Sequence, residues 1–114
     1  MVLAELLKKS VELKMKKYCE RKVRAQYHDR LRRGFKIRGN SVFLYEERPA
    51  FGFPEKWVEI PIAQFRYNTR NKTWTLYCMP RSGKWELYLE GNPTKDFDKL
   101  LKEVEEDGTG IFWG

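Results

Sequence analysis

A chain of 114 residues fits one domain, and a 41% hydrophobic, 15% aromatic composition is enough for a small core. No apolar run reaches membrane-spanning length, the N-terminus turns charged too early for a signal peptide, and Cys19 and Cys78 form no CxxC pair, so the expectation is a soluble cytoplasmic protein with reduced thiols. The net charge of +7 is unevenly placed: residues 1–38 hold 13 Lys/Arg against 4 Asp/Glu, and the rest hold 10 against 12.

The first 33 residues read as helical, with Leu3, Leu7, Val11, Met15, Cys19, Val23, Tyr27 and Leu31 at every fourth position. A strict four-residue step drifts by about 40° per repeat, so a break is expected near Cys19 to Val23. An amphipathic helix would then precede a second, very basic one ending at Gly34. After Gly34 the period becomes two. Phe35 to Arg38 alternates, Gly39-Asn40 is a favoured two-residue turn, and Ser41 to Arg48 is the returning strand. Residues 48–56, with two prolines, read as a loop. Trp57 to Asn68 is a long strand with a kink at Pro61. Strands Lys72 to Met79 and Lys84 to Glu90 follow across tight turns.

Such short connections make all five strands antiparallel. Asn92-Pro93-Thr94 is expected to cap a last helix carrying Phe97, Leu100, Leu101 and Val104 at i, i+3, i+4 and i+7, closed by Gly108. The Ile111-Phe112-Trp113 tail must then dock on the body. The expected fold is α+β, one domain over 1–114: a basic helical arm (1–33), an antiparallel meander (34–90), a packing helix (94–107) and a docked tail (108–114).

Several segments carry a resemblance: Ile37-Arg38-Gly39-Asn40-Ser41-Val42, Glu47-Arg48-Pro49, Pro61-Ile62-Ala63-Gln64-Phe65-Arg66-Tyr67, Trp74-Thr75-Leu76-Tyr77, Lys84-Trp85 and Asp107-Gly108-Thr109-Gly110-Ile111-Phe112-Trp113-Gly114. From about residue 34 onward the chain resembles the bacterial domain-of-unknown-function family 3024. That resemblance implies no assigned activity and carries over no catalytic residues.

The chemistry-bearing residues are sparse. His28 is the single histidine. On one helix it would face about 180° away from Cys19, so a Cys–His nucleophile is not expected. Zinc would need Cys19, Cys78, His28 and a carboxylate to converge without characteristic spacing. Asp107-Gly108-Thr109 lacks the preceding hydrophobic strand of a phosphoaspartate loop, and no helix starts after it to make a phosphate site. No metal, cofactor or catalytic residue is therefore assigned. A small enzyme remains the weakest option, its acid–base work falling to carboxylates and tyrosines such as Glu47, Glu59, Glu86 or Tyr88. Glu103, Glu105, Glu106 and Asp107 oppose the helix dipole, and pairing with the basic arm is the expected compensation.

The leading reading is a non-catalytic module that meets RNA or DNA through Lys14, Lys17, Arg21, Lys22, Arg24, Arg30, Arg32 and Arg33, by charge rather than sequence readout. In the sheet, Trp74, Leu76 and Cys78 mark the core face, with Trp85, Leu87 and Leu89 as its continuation. The opposite face is expected to show Arg66, Tyr77 and Tyr88, which could stack bases or lie quietly on a wet surface. The alternative is a protein-interaction or homodimer surface around Phe51 and Phe53, unless they fold back onto the sheet.

Overall fold

The alternating middle of the chain forms an open five-stranded sheet in a computed structural model that describes residues 4–22, 31–88 and 92–113. The strands are β1 (Arg32–Arg38), β2 (Ser41–Ala50), β3 (Phe53–Asn68), β4 (Thr73–Cys78) and β5 (Glu86–Leu87). Two helices flank them, α1 (Glu5–Lys22) and α2 (Phe97–Glu106). All strand pairs are antiparallel and the spatial order is β1-β2-β3-β4-β5, the α+β meander expected from the tight turns.

Some boundaries move. Gly34 ends no helix; it sits inside β1, which begins at Arg32. α1 is described through Lys22, and the expected second helix falls mostly on residues 23–30, outside the described set. The stretch 48–56 is a hairpin rather than a loop: Ala50 pairs with Phe53, leaving Phe51 and Gly52 at the tip. Gly52 supplies the positive φ of 80° that this turn requires. The β2–β3 register shifts between Leu44 and Tyr45, where Ile62 is the extra residue beside Pro61.

One side of the sheet holds the core. Across the strands, Ile37, Val42, Phe65, Leu76 and Tyr88 share a row, as do Phe35, Leu44, Ala63 and Cys78. α1 lays Val11, Met15 and Tyr18 on that side. Tyr18 replaces Cys19 in the stripe because the four-residue step has drifted too far by that point. α2 adds Phe97, Leu100, Leu101 and Val104, with Phe97 4.9 Å from Phe65 and 4.8 Å from Trp74 between ring centroids.

The β5 assignment is corrected. Tyr77 faces Leu87 and Cys78 faces Glu86, so even-numbered residues of β4 meet even-numbered residues of β5. Tyr88 therefore falls opposite Leu76, 6% exposed and against Phe112, instead of on the outer face. Leu87, expected in the core, is 48% exposed, and Leu89 lies outside the described residues. Because β5 is so short, later residues complete the edge of β4. Asn92 exchanges hydrogen bonds with Leu76 through its side chain, and Thr94 pairs with Trp74. That return leg delivers α2 to the core.

Asp96, not Asn92 or Thr94, caps α2, its carboxylate accepting from the Asp98 amide at 3.0 Å. Asp107, not Gly108, takes the left-handed closing position, with φ of 45°. Its carboxylate accepts the amides of Phe112 (3.0 Å) and Trp113 (2.8 Å), fastening the tail. Phe112 is buried as expected.

Two changes test this packing. Phe97→Ala should cost about 3–5 kcal/mol by urea denaturation, since it opens a cavity between Phe65 and Trp74; a loss under about 1 kcal/mol would contradict it. Asp107→Ala should cost about 1–3 kcal/mol and release the Phe112 and Trp113 amides to rapid hydrogen exchange. Retained protection there would show that the tail is held by something else.

Candidate functional site

Pleating sends alternate side chains to opposite faces, so everything not aimed at the helices must point the other way. On that far side the cross-strand rows read Arg38–Ser41–Arg66–Thr75, then Lys36–Phe43–Gln64–Tyr77–Leu87, then Gly34–Tyr45–Pro61, then Arg32–Glu47–Glu59. No described helix covers this face. Four cations and two carboxylates stand on it among aromatic rings.

The rings and cations are organised in pairs. The Arg66 guanidinium lies 3.9 Å from the Tyr77 ring centroid and donates to Gln64 Oε1 at 3.2 Å. Arg32 lies 3.9 Å over Trp57. Phe43 and Trp85 meet at 6.1 Å. Lys36 Nζ bridges to Glu59 at 2.8 Å and sits 5.3 Å over Tyr45. Tyr45 itself lies across Gly34, where a Cβ would come 2.6 Å from its Cζ and Oη. Only glycine permits that approach. Burial pushes the Tyr45 hydroxyl pKa up, with the nearby Glu47 and Glu59 charges adding to the effect. Lys36, Arg38, Phe43, Tyr45, Glu59, Pro61 and Trp85 enclose an open groove of about 330 Å³.

Of the basic residues expected to act together, the ones whose side chains are described are dispersed. Lys14 is ion-paired with Asp98 at 3.1 Å, in a second groove shared with Lys17 between α1 and α2. Arg32 belongs to the open face. Arg33, its neighbour, points to the helix side, with its guanidinium 4.0 Å over Trp113. Arg21 and Lys22 belong to α1, but their side chains, like the whole of Arg24, His28 and Arg30, lie outside the described residues. The carboxylates at the acidic end of α2 meet partners from α1, from α2 itself and from the tail. Glu105 accepts from the Tyr18 hydroxyl at 3.1 Å, Glu106 pairs with Lys102 at 3.7 Å, and Asp107 holds the tail.

Arg66 and Tyr77 stand on the outer face as expected, and Tyr88 does not. Phe51 is fully exposed and Phe53 is 58% exposed, so the hairpin tip does not fold back. Lys36, Arg38, Phe43, Tyr45, Trp57 and Trp85 are the functional candidates that pattern reading misses. Counting from the Gly39-Asn40 turn finds the first four, because a two-residue turn pairs even residues of β1 with odd residues of β2. Trp57 and Trp85 lie beyond irregularities that break such counting.

Catalytic features are sparse. Cys78 is buried, its thiol pKa raised by that burial, and its Sγ lies 3.6 Å from the Glu86 carbonyl oxygen. Burial also pushes the Cys19 thiol up to about 11. Among the described residues no group of His, Cys, Asp and Glu is gathered to hold a metal ion, and no helix is long and apolar enough to cross a membrane.

The class defined by this fold is a small α+β domain with helices on one side of an antiparallel sheet and a basic, aromatic surface on the other. Residues 3–114 match the family model described as Domain of unknown function (DUF3024), and the chain belongs to that family. No curated protein and no solved structure matches it.

A raised thiol pKa defers the reactive thiolate to higher pH. Iodoacetamide labelling of Cys19 at pH 8 should run more than about tenfold slower than that of a free cysteine, whose pKa is about 8.5. The rate should climb toward pH 11. A rate that levels off by pH 9 would contradict the partial burial of Cys19 at the sheet side of α1.

Proposed function

We propose that this protein is a non-catalytic module that binds a polyanion, RNA or DNA, through the uncovered face of its sheet. The observation that carries the reading is the projection of Arg32, Lys36, Arg38 and Arg66 from one face, with rings between them and no described element on top. A phosphodiester chain suits such a surface: cations draw it in by counterion release, and Arg guanidinium groups hold phosphate oxygens in a planar fork. The arm chosen from the sequence contributes differently. Lys14 is paired with Asp98 between the helices, and Arg33, a β1 residue, is stacked on Trp113 on the helix side, so neither joins this surface.

Salt dependence tests it. Replacing Arg32, Lys36 and Arg38 together by Gln should weaken oligonucleotide binding and shrink the slope of log affinity against log salt by about 0.7 for each phosphate that is no longer neutralised. Lys9→Gln with Lys16→Gln, on the exposed side of α1, should change it far less. Equal losses from the two sets would remove the sheet face as the contact surface.

Full exposure of Phe51 favours a second reading, a protein-interaction or self-associating module at the β2–β3 tip. Sedimentation of wild type beside Phe51→Ser and Phe53→Ser separates the two. A wild-type dimer that both substitutions turn monomeric favours self-association, and an unchanged monomer in all forms removes it.

A further inference from the structure

We infer that the groove on the open face receives an unpaired base, so that the ligand is a single-stranded nucleic acid; this deepens the polyanion reading and rests on it. A surface that met only phosphates would need cations and little else. Here one groove combines three aromatic rings, Phe43, Tyr45 and Trp85, with the apolar ring of Pro61 and with Lys36 and Arg38 at its walls. Its volume, about 330 Å³, is within the range of small-ligand sites.

The ring arrangement matches what a planar, uncharged group requires. Phe43 and Trp85 meet as a tilted pair, 57° at 6.1 Å, so their ring faces are not stacked parallel on each other. Each of these side chains is partly exposed in the free protein, so some of its apolar area is still open to a guest. Arg38, directly opposite Ser41 and in the same row as Arg66, carries positive charge along the sheet from the groove toward the Arg66–Tyr77 stack. A backbone following that row would place one base at Trp85 and another within reach of Tyr77.

A duplex keeps its bases stacked inside and offers only phosphates and groove edges. An open strand offers bases that stack on aromatic side chains whatever their sequence. The groove therefore discriminates by strandedness more than by sequence. The Lys36–Glu59 ion pair adds one polar wall, whose carboxylate accepts from exocyclic amines and whose ammonium donates to ring carbonyls.

Fluorescence anisotropy with three labelled probes decides it: a short oligothymidylate, an abasic strand with the same number of phosphates, and a duplex of the same length. The wild type should bind oligothymidylate about tenfold or more tighter than the abasic strand, and tighter than the duplex. Trp85→Ala should drop oligothymidylate to the abasic level and leave abasic binding unchanged. Phe43→Leu keeps bulk on the sheet while removing a ring, and it should show the same selective loss if Trp85→Ala fails to fold. Equal affinity for base-bearing and abasic strands, or preference for the duplex, overturns base insertion and leaves the polyanion reading intact. No salt-sensitive binding to any probe overturns both.

Discussion

Packing of both helices and the C-terminal tail on one side of a five-stranded sheet is the constraint from which the rest follows. Val11, Met15 and Tyr18 from α1, Phe97 to Val104 from α2, and Phe112 from the tail all converge on the rows built around Phe65 and Leu76. Strand pleating then leaves no freedom for the alternate residues, and they must face outward together. A surface of cations and rings appears there because β1, β2 and β3 place Arg32, Lys36, Arg38, Tyr45, Phe43 and Arg66 at the complementary positions. Fold and candidate site are two faces of one register.

Register is held by small features. The Gly39-Asn40 turn sets β1 against β2, and Asn40 ties itself to Tyr67 through both its backbone and its side chain. The bulge beside Pro61 restores alternation further along, so that Glu46 is buried on the helix side with Arg48 donating to it, while Glu59 meets Lys36 on the other. A slip of one residue would carry Arg and Lys into the core, an outcome the core could not tolerate. Gly34 matters for a related reason. Its missing side chain is what allows Tyr45 to lie over the edge strand.

Much of the fold is legible in the sequence because each element repeats its pattern long enough. The α2 stripe spans whole turns, and the meander is bounded by turn residues. The illegible parts lie where patterns are short or interrupted. β5 has two residues, too few for alternation to declare which face is buried, so pattern alone puts Trp85, Leu87 and Tyr88 on the wrong sides. Arg32 and Arg33 look like the end of a basic helix because charge carries no period, yet as neighbours on a strand they diverge to opposite faces. Summed charge along the N-terminal arm thus overstates one surface and conceals another. The acidic end of α2 misleads in the same way, since a hydroxyl from α1 and two backbone amides of the adjoining tail meet two of its carboxylates.

A nuclear magnetic resonance titration of the labelled protein with a short oligothymidylate addresses the central claim most directly, since it reports both surfaces in one experiment. Shifts concentrated on Lys36, Arg38, Phe43, Tyr45, Tyr77 and the Trp85 indole, with α1 nearly silent, are the result this account requires. Shifts confined to α1 and the groove around Lys14, or none at low salt, would contradict it.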